Sequence, residues 1–212
     1  LQEDIADKFP DNLKERLFLA ELYTRQEQED KAIKTLNAIE KKYGQSETIL
    51  KLKYKIFSQT NKSEEALAAA DALTNINEDN PAYFQLKFDA LEKLGRMPEA
   101  IQTLESLLER EPDNGFALLT LADHYKNIND FESSDKYLFR AFKNPTIRPE
   151  GKVEIIKGLL SYLRQEPSLI DRISTLSGIL AETHPEESGP LEIRGDIYAI
   201  NGVIQTSDAR LK

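Results

Sequence analysis

Leu19-Ala20-Glu21-Leu22-Tyr23 returns three 34-residue periods later as Leu121-Ala122-Asp123-His124-Tyr125. Ala32, Ala66 and Ala100 stand 34 residues apart, and Ser134, another small residue, continues the series. Pro10, Gly44, Glu78 and Pro112 repeat in phase with it. A fixed period of this length belongs to a helical hairpin that cannot bury its apolar side alone and so stacks on copies of itself. Two antiparallel helices approach closely only where a small residue sits at the crossing. Ala supplies one without loss of helix propensity, and large apolar residues fill the grooves on either side.

Outward from these positions, four repeats follow one another, at about 13–46, 47–80, 81–114 and 115–148. The first has Leu19, Ala20 and Tyr23 on its first helix and Ala32 and Leu36 on its second. The second has Leu50, Tyr54 and Phe57, then Ala66 and Ala70, with Tyr54 where a small residue is expected. The third has Phe84, Phe88 and Leu91, then Ala100, Leu104 and Leu107. The fourth has Leu118, Leu121, Ala122 and Tyr125, then Ser134, Leu138 and Ala141. Turns are expected at Glu27–Asp30, Asn61–Ser63, Gly95–Pro98 and Asn127–Asp130. Ser63 and Asp130 read as N-caps and Pro98 as a first-turn proline.

This pattern resembles the tetratricopeptide repeat family over residues 10–148. The resemblance implies an all-α fold, a right-handed superhelical solenoid of antiparallel helix hairpins with about five repeats. Beyond residue 145 the register is expected to break. Asn144–Pro149 reads as an extended linker, since a residue before proline disfavours helix. A longer, divergent hairpin is then expected over 149–187, with Pro167 interrupting it and Ser168 as a cap. Residues 188–212 read as a truncated further repeat, and Leu1, Ile5 and Phe9 as the tail, over 1–12, of a preceding repeat helix. Further repeats are expected on both sides. This arrangement resembles the tetratricopeptide proteins of the bacterial cell envelope, which implies a periplasmic or envelope location, with the cytoplasm second.

Charged residues make up 31% of the chain and hydrophobic ones 40%, a balance that buries a core instead of leaving a disordered chain. The net charge of −9 disfavours nucleic acid and anionic membrane. Lys51, Lys53 and Lys55 form the densest basic stretch, but helical spacing spreads them around the helix. No apolar run reaches the length of a membrane span, so direct membrane insertion is not expected. The absence of Cys excludes disulfides, thiolate metal sites and a Cys nucleophile.

Chemistry is sparse. His124 and His184 are the only histidines, and neither has a metal-ligand or triad spacing. His124 reads as a solvated or packing residue, and His184 as a helix-end cation that favours the dipole. The glycines are scattered, with no phosphate loop. No catalytic residue, metal or cofactor is expected. Tyr83, Phe116 and Phe131 are less tied to the repeat than the other aromatics, and either a peptide or the packing between repeats accounts for them.

The family resemblance implies that first helices line a concave groove. The inward positions are then Glu21, Lys55, Asp89 and Asp123. Beside them lie Arg25, Lys51, Gln85, Lys126 and Asn127, with Thr24, Ser58 and Glu92 in the same turns. A carboxylate clamp of the kind some family members carry does not fit, because two Asp and a Glu stand where Asn is expected. The resemblance thus implies a non-catalytic scaffold that binds a protein or peptide segment, polar or basic in character. Two alternatives stand beside it. One is a structural spacer that self-associates through its end repeats. The other is a helper domain of an enzyme whose catalytic part lies elsewhere.

Overall fold

A computed structural model describes residues 12–186 and Gly195. The expected tail at 1–12, apart from Asn12, and the truncated repeat at 188–212, apart from Gly195, lie outside the described residues. Among those described there are ten helices and no strand. They are α1 Leu13–Arg25, α2 Glu29–Tyr43, α3 Glu47–Gln59, α4 Ser63–Ile76 and α5 Pro81–Lys93. Then come α6 Met97–Arg110, α7 Gly115–Asn127, α8 Phe131–Lys143, α9 Pro149–Tyr162 and α10 Leu169–Thr183. The chain forms two compact units, one up to Arg110 and one from Glu111.

The first helices start at 13, 47, 81 and 115, and α9 starts one period later at 149. Their starts share one device. Asn12, Ser46, Asn80 and Asn114 each accept a hydrogen bond from a backbone N–H of the following turn. The turn inside each hairpin repeats as closely. Glu27, Asn61, Gly95 and Asn129 all have φ between 57° and 70°. The next residue in each case donates to a carbonyl five residues back, on Tyr23, Phe57, Leu91 and Tyr125, at 2.9 Å. This is a Schellman closure, which asks for glycine or asparagine at the left-handed position. Glu27 departs from that rule. Glu27→Gly removes a side chain from a left-handed residue and is expected to stabilise the first hairpin by about 0.5–1 kcal/mol. A thermal melt that stays put or drops contradicts this.

The small residues sit at the crossings. Ala32, Ala66, Ala100 and Ser134 are all buried, and the Ser134 hydroxyl donates to Ala122 O at 2.8 Å, so the α7 and α8 backbones lie close there. In the first unit, Leu19, Ala20, Tyr23, Ala32, Leu36, Ile39, Ile49 and Ile56 make one continuous cluster. Burying each large aliphatic side chain stabilises this core by about 1.5–3 kcal/mol.

Several expectations are corrected. Ser63 is the first residue of α4, and the cap before it, Lys62, makes no side-chain bond. Ser168 does not cap α10 either; it has helical dihedrals, and its hydroxyl reaches Glu166 instead. Asp130 caps α8 as expected, accepting from Ser133 N at 3.1 Å. Asn144–Arg148 is a folded turn and not an extended linker, because the Asn144 side chain accepts from both Thr146 N and Thr146 Oγ1 at 2.8 Å. The 34-residue register therefore survives to Pro149, which opens α9 as its first-turn proline. It breaks later, in the long turn between α9 and α10. Tyr83 is core, with 1% of its surface exposed: it packs with Leu50 and Leu73, and the Lys51 ammonium stands 5.3 Å from its ring centre.

Candidate functional site

In the first unit the expected groove residues fall on successive first helices without converging on one another. Glu21 is half-buried and Arg25 exposed on α1; Lys51 and Lys55 are exposed on α3; Gln85 is exposed and Asp89 half-buried on α5. Lys51 pairs with Glu47 at 2.5 Å, and Lys53 with Glu40 at 2.6 Å, so two of the three clustered lysines are engaged locally. Burial pushes the Asp89 carboxyl above its ordinary value, and the neighbouring Glu92 adds to the shift. Tyr54, where the small residue was expected, spans to the next hairpin by donating to Leu86 O at 3.1 Å.

In the second unit three of the expected residues do meet. On α7, Lys126 Nζ lies 2.5 Å from Asp123 Oδ1, and Asn127 donates to Asp123 Oδ2 at 3.2 Å. Asp123 and Lys126 are also part of the wall of a pocket of about 510 Å3, set among α7, α8, α9 and α10. Its apolar wall includes Leu119, Phe131, Leu138, Ile155, Leu159 and, from the following helix, Leu169. Phe131 and Tyr162 are 49% and 59% exposed, so two aromatic rings stand at its mouth with about half their surface in solvent. Deeper in, Arg172 pairs with Asp135 at 2.5 Å, while its Nε is buried without an acceptor. Burial pushes the Asp135 carboxyl up; the Arg172 charge pulls the other way.

The pocket exists because α9 does not repeat the packing of α3 and α5. Those first helices lie directly on the preceding second helix, as α5 does on α4. After α8 it is α10 that packs on α8, while the α9 backbone stands off. The long side chain of Lys152 spans the gap. It is fully buried, and its ammonium donates to Phe142 O at 2.9 Å and Asn144 O at 2.6 Å, with His184 Nε2 at 2.8 Å. The third N–H of the ammonium meets a bare ring nitrogen in the tautomer that carries the imidazole proton on Nδ1. Burial lowers the Lys152 pKa to about 8. His124 packs edge-on against Tyr125, with ring centres 5.3 Å apart.

The sequence singles out Asp123, Lys126 and Asn127, which the structure brings together, but not Leu159, Tyr162, Glu166 and Lys152. The turn of 163–168 and the standing-off of α9 bring those four into play, and no periodic signal marks either feature. Among the described residues no cluster of three or more His, Cys, Asp or Glu could hold a metal ion. No helix among them is long and apolar enough to cross a membrane.

Comparison with known proteins agrees with this architecture. A tetratricopeptide repeat family model matches residues 19–46 and 89–114. Among solved structures, MamA of AMB-1 is 19% identical over 66% of this chain and 76% of its own, with a TM-score of 0.55. MamA of MSR-1 is likewise 19% identical, over 66% and 80%, with a TM-score of 0.53. YrrB, described as a tetratricopeptide protein with an unusual peptide-binding site, is 10% identical over 92% of this chain and 97% of its own, with a TM-score of 0.54. At these identities the likeness is one of fold. No curated protein sequence matches the chain. The family model and the shared fold together support tetratricopeptide-type repeats in this chain.

Proposed function

We propose that this chain is a non-catalytic scaffold that takes a polypeptide segment on its first-helix side, with the pocket of the second unit as the anchoring point. The observation that carries this reading is the pocket itself. Its volume of about 510 Å3 falls in the range of ligand sites. Its wall is mainly aliphatic, and exposed aromatic rings flank the entrance. Such a cavity accommodates one or two large apolar side chains of a partner. Aromatic and aliphatic anchors in a central pocket supply most of the energy of small interfaces. The Asp123–Lys126–Asn127 cluster lies at its edge, where polar groups orient a backbone and contribute modestly to affinity. The peptide-binding site named for YrrB is that protein's own, and it lends the reading only the precedent of a shared fold.

The test uses a phage-displayed library of random 12-residue peptides, selected on the wild-type chain. Leu159→Arg puts a charge into the pocket wall at a half-exposed position, so the hairpin should stay folded. Selected peptides are expected to bind it at least about tenfold more weakly, on the order of 1.4 kcal/mol. The double reversal Lys34→Glu and Glu105→Lys, on exposed sites of second helices, is expected to change affinity less than about twofold. Binding indifferent to Leu159→Arg but lost in the second-helix pair contradicts the reading.

A further inference from the structure

From the charges and rings at the pocket mouth we infer that the preferred occupant is a segment with a large apolar anchor flanked by an arginine or lysine. This rests on the reading of the pocket as a peptide site and specifies its partner. Four ionised side chains line the pocket: Asp123, Lys126, Glu166 and Arg172. Two carry their compensation with them, for Lys126 is paired with Asp123 at 2.5 Å and Arg172 with Asp135 at 2.5 Å. Glu166 is exposed, and no cation lies within ion-pair distance of it among the described residues; its carboxylate receives only the Ser168 hydroxyl, at 3.5 Å. The pocket lining therefore presents one uncompensated charge, and it is negative.

Glu166 also shares its turn with an aromatic residue of the pocket lining. Its backbone N–H donates to Tyr162 O at 3.0 Å, so carboxylate and phenol leave the same turn at the end of α9. Tyr162 is 59% exposed. A guanidinium lying on the Tyr162 face and bonded to Glu166 uses both groups at once, through cation–π attraction and a charge-assisted hydrogen bond. A carboxylate in the same position meets Glu166 with like charge. The apolar wall sets the anchor, and Glu166 with Tyr162 sets the sign of its neighbour.

The experiment measures the intact chain against two sets of fluorescein-labelled 12-residue peptides. Both sets carry a central Leu or Phe in otherwise randomised sequence; one has Arg at the flanking positions and the other Glu. At low salt the Arg set is expected to bind roughly three- to tenfold more tightly. That margin should shrink in Glu166→Gln and at high salt. Binding that is sensitive to Leu159→Arg yet indifferent to the flanking charge overturns this inference and leaves the peptide-site reading standing. An Arg preference that persists undiminished in Glu166→Gln also overturns it. Binding of neither set in a manner sensitive to Leu159→Arg removes both.

Discussion

Ala100→Trp is expected to lower the stability of the first unit by about 3 kcal/mol. Ala100 has no exposed surface, and it lies on α6 at the third member of the 34-residue small-residue series. The corresponding position in the fourth hairpin, Ser134, is close enough to the facing helix to bond its carbonyl. An indole has no room at such a crossing, and overpacking costs about 1–3 kcal/mol even for smaller additions. Moving the helices apart also loosens Leu104, Leu107 and Leu91, which are all buried. Circular dichroism melts of this variant beside Gln102→Trp, at an exposed position of the same helix, measure the effect. An unchanged midpoint for Ala100→Trp shows the register of the crossings to be wrong.

Lys152→Ala is expected to cost the second unit about 2–4 kcal/mol, by loss of a buried side chain and of the bonds that satisfy Phe142 O and Asn144 O. Lys152→Met is expected to cost less, roughly 1 kcal/mol. Met refills the volume and removes a buried charge that no carboxylate compensates. The pH dependence gives a second readout. The lysine titrates near 8 in the folded chain and near 10.5 when unfolded. Between those values the unfolded chain holds more protons, so stability rises with pH across that window. Relative to wild type, Lys152→Met should lack this rise. Equal pH profiles for the two proteins contradict the burial of Lys152 as a cation.

Much of this architecture is legible in the sequence, for a physical reason. A close crossing tolerates only small residues, so Ala32, Ala66 and Ala100 announce it. Proline and glycine punctuate the helix ends at Gly44, Pro81 and Pro112. The left-handed turn series 27, 61, 95 and 129 is also written there, in Asn61, Gly95 and Asn129, but Glu27 hides its first member. The candidate site is less legible. Asp123 and Lys126 stand at repeat positions that the family resemblance marks as inward. Glu166 and Tyr162 lie where the repeat lengthens, so arithmetic carries no information about them. Nothing in the sequence around Lys152, between Gly151 and Val153, marks it out. Its burial follows from the fold of 144–148 and from the C-terminus of α10, which periodicity does not encode. Tyr83 stands outside the repeat's consensus positions, so the sequence leaves peptide contact and packing both open, and its packing against Leu50 of the preceding hairpin decides for the core.

The central claim is that a partner segment is anchored in the pocket of the second unit. Hydrogen exchange of the intact chain, with and without the tightest peptide from the random library, tests it most directly. Bound peptide should slow exchange in the segments that wall the pocket, over residues 119–138 and 155–172, and leave 13–110 unchanged. Protection confined to residues 13–110, with none in 119–138 or 155–172, contradicts the account.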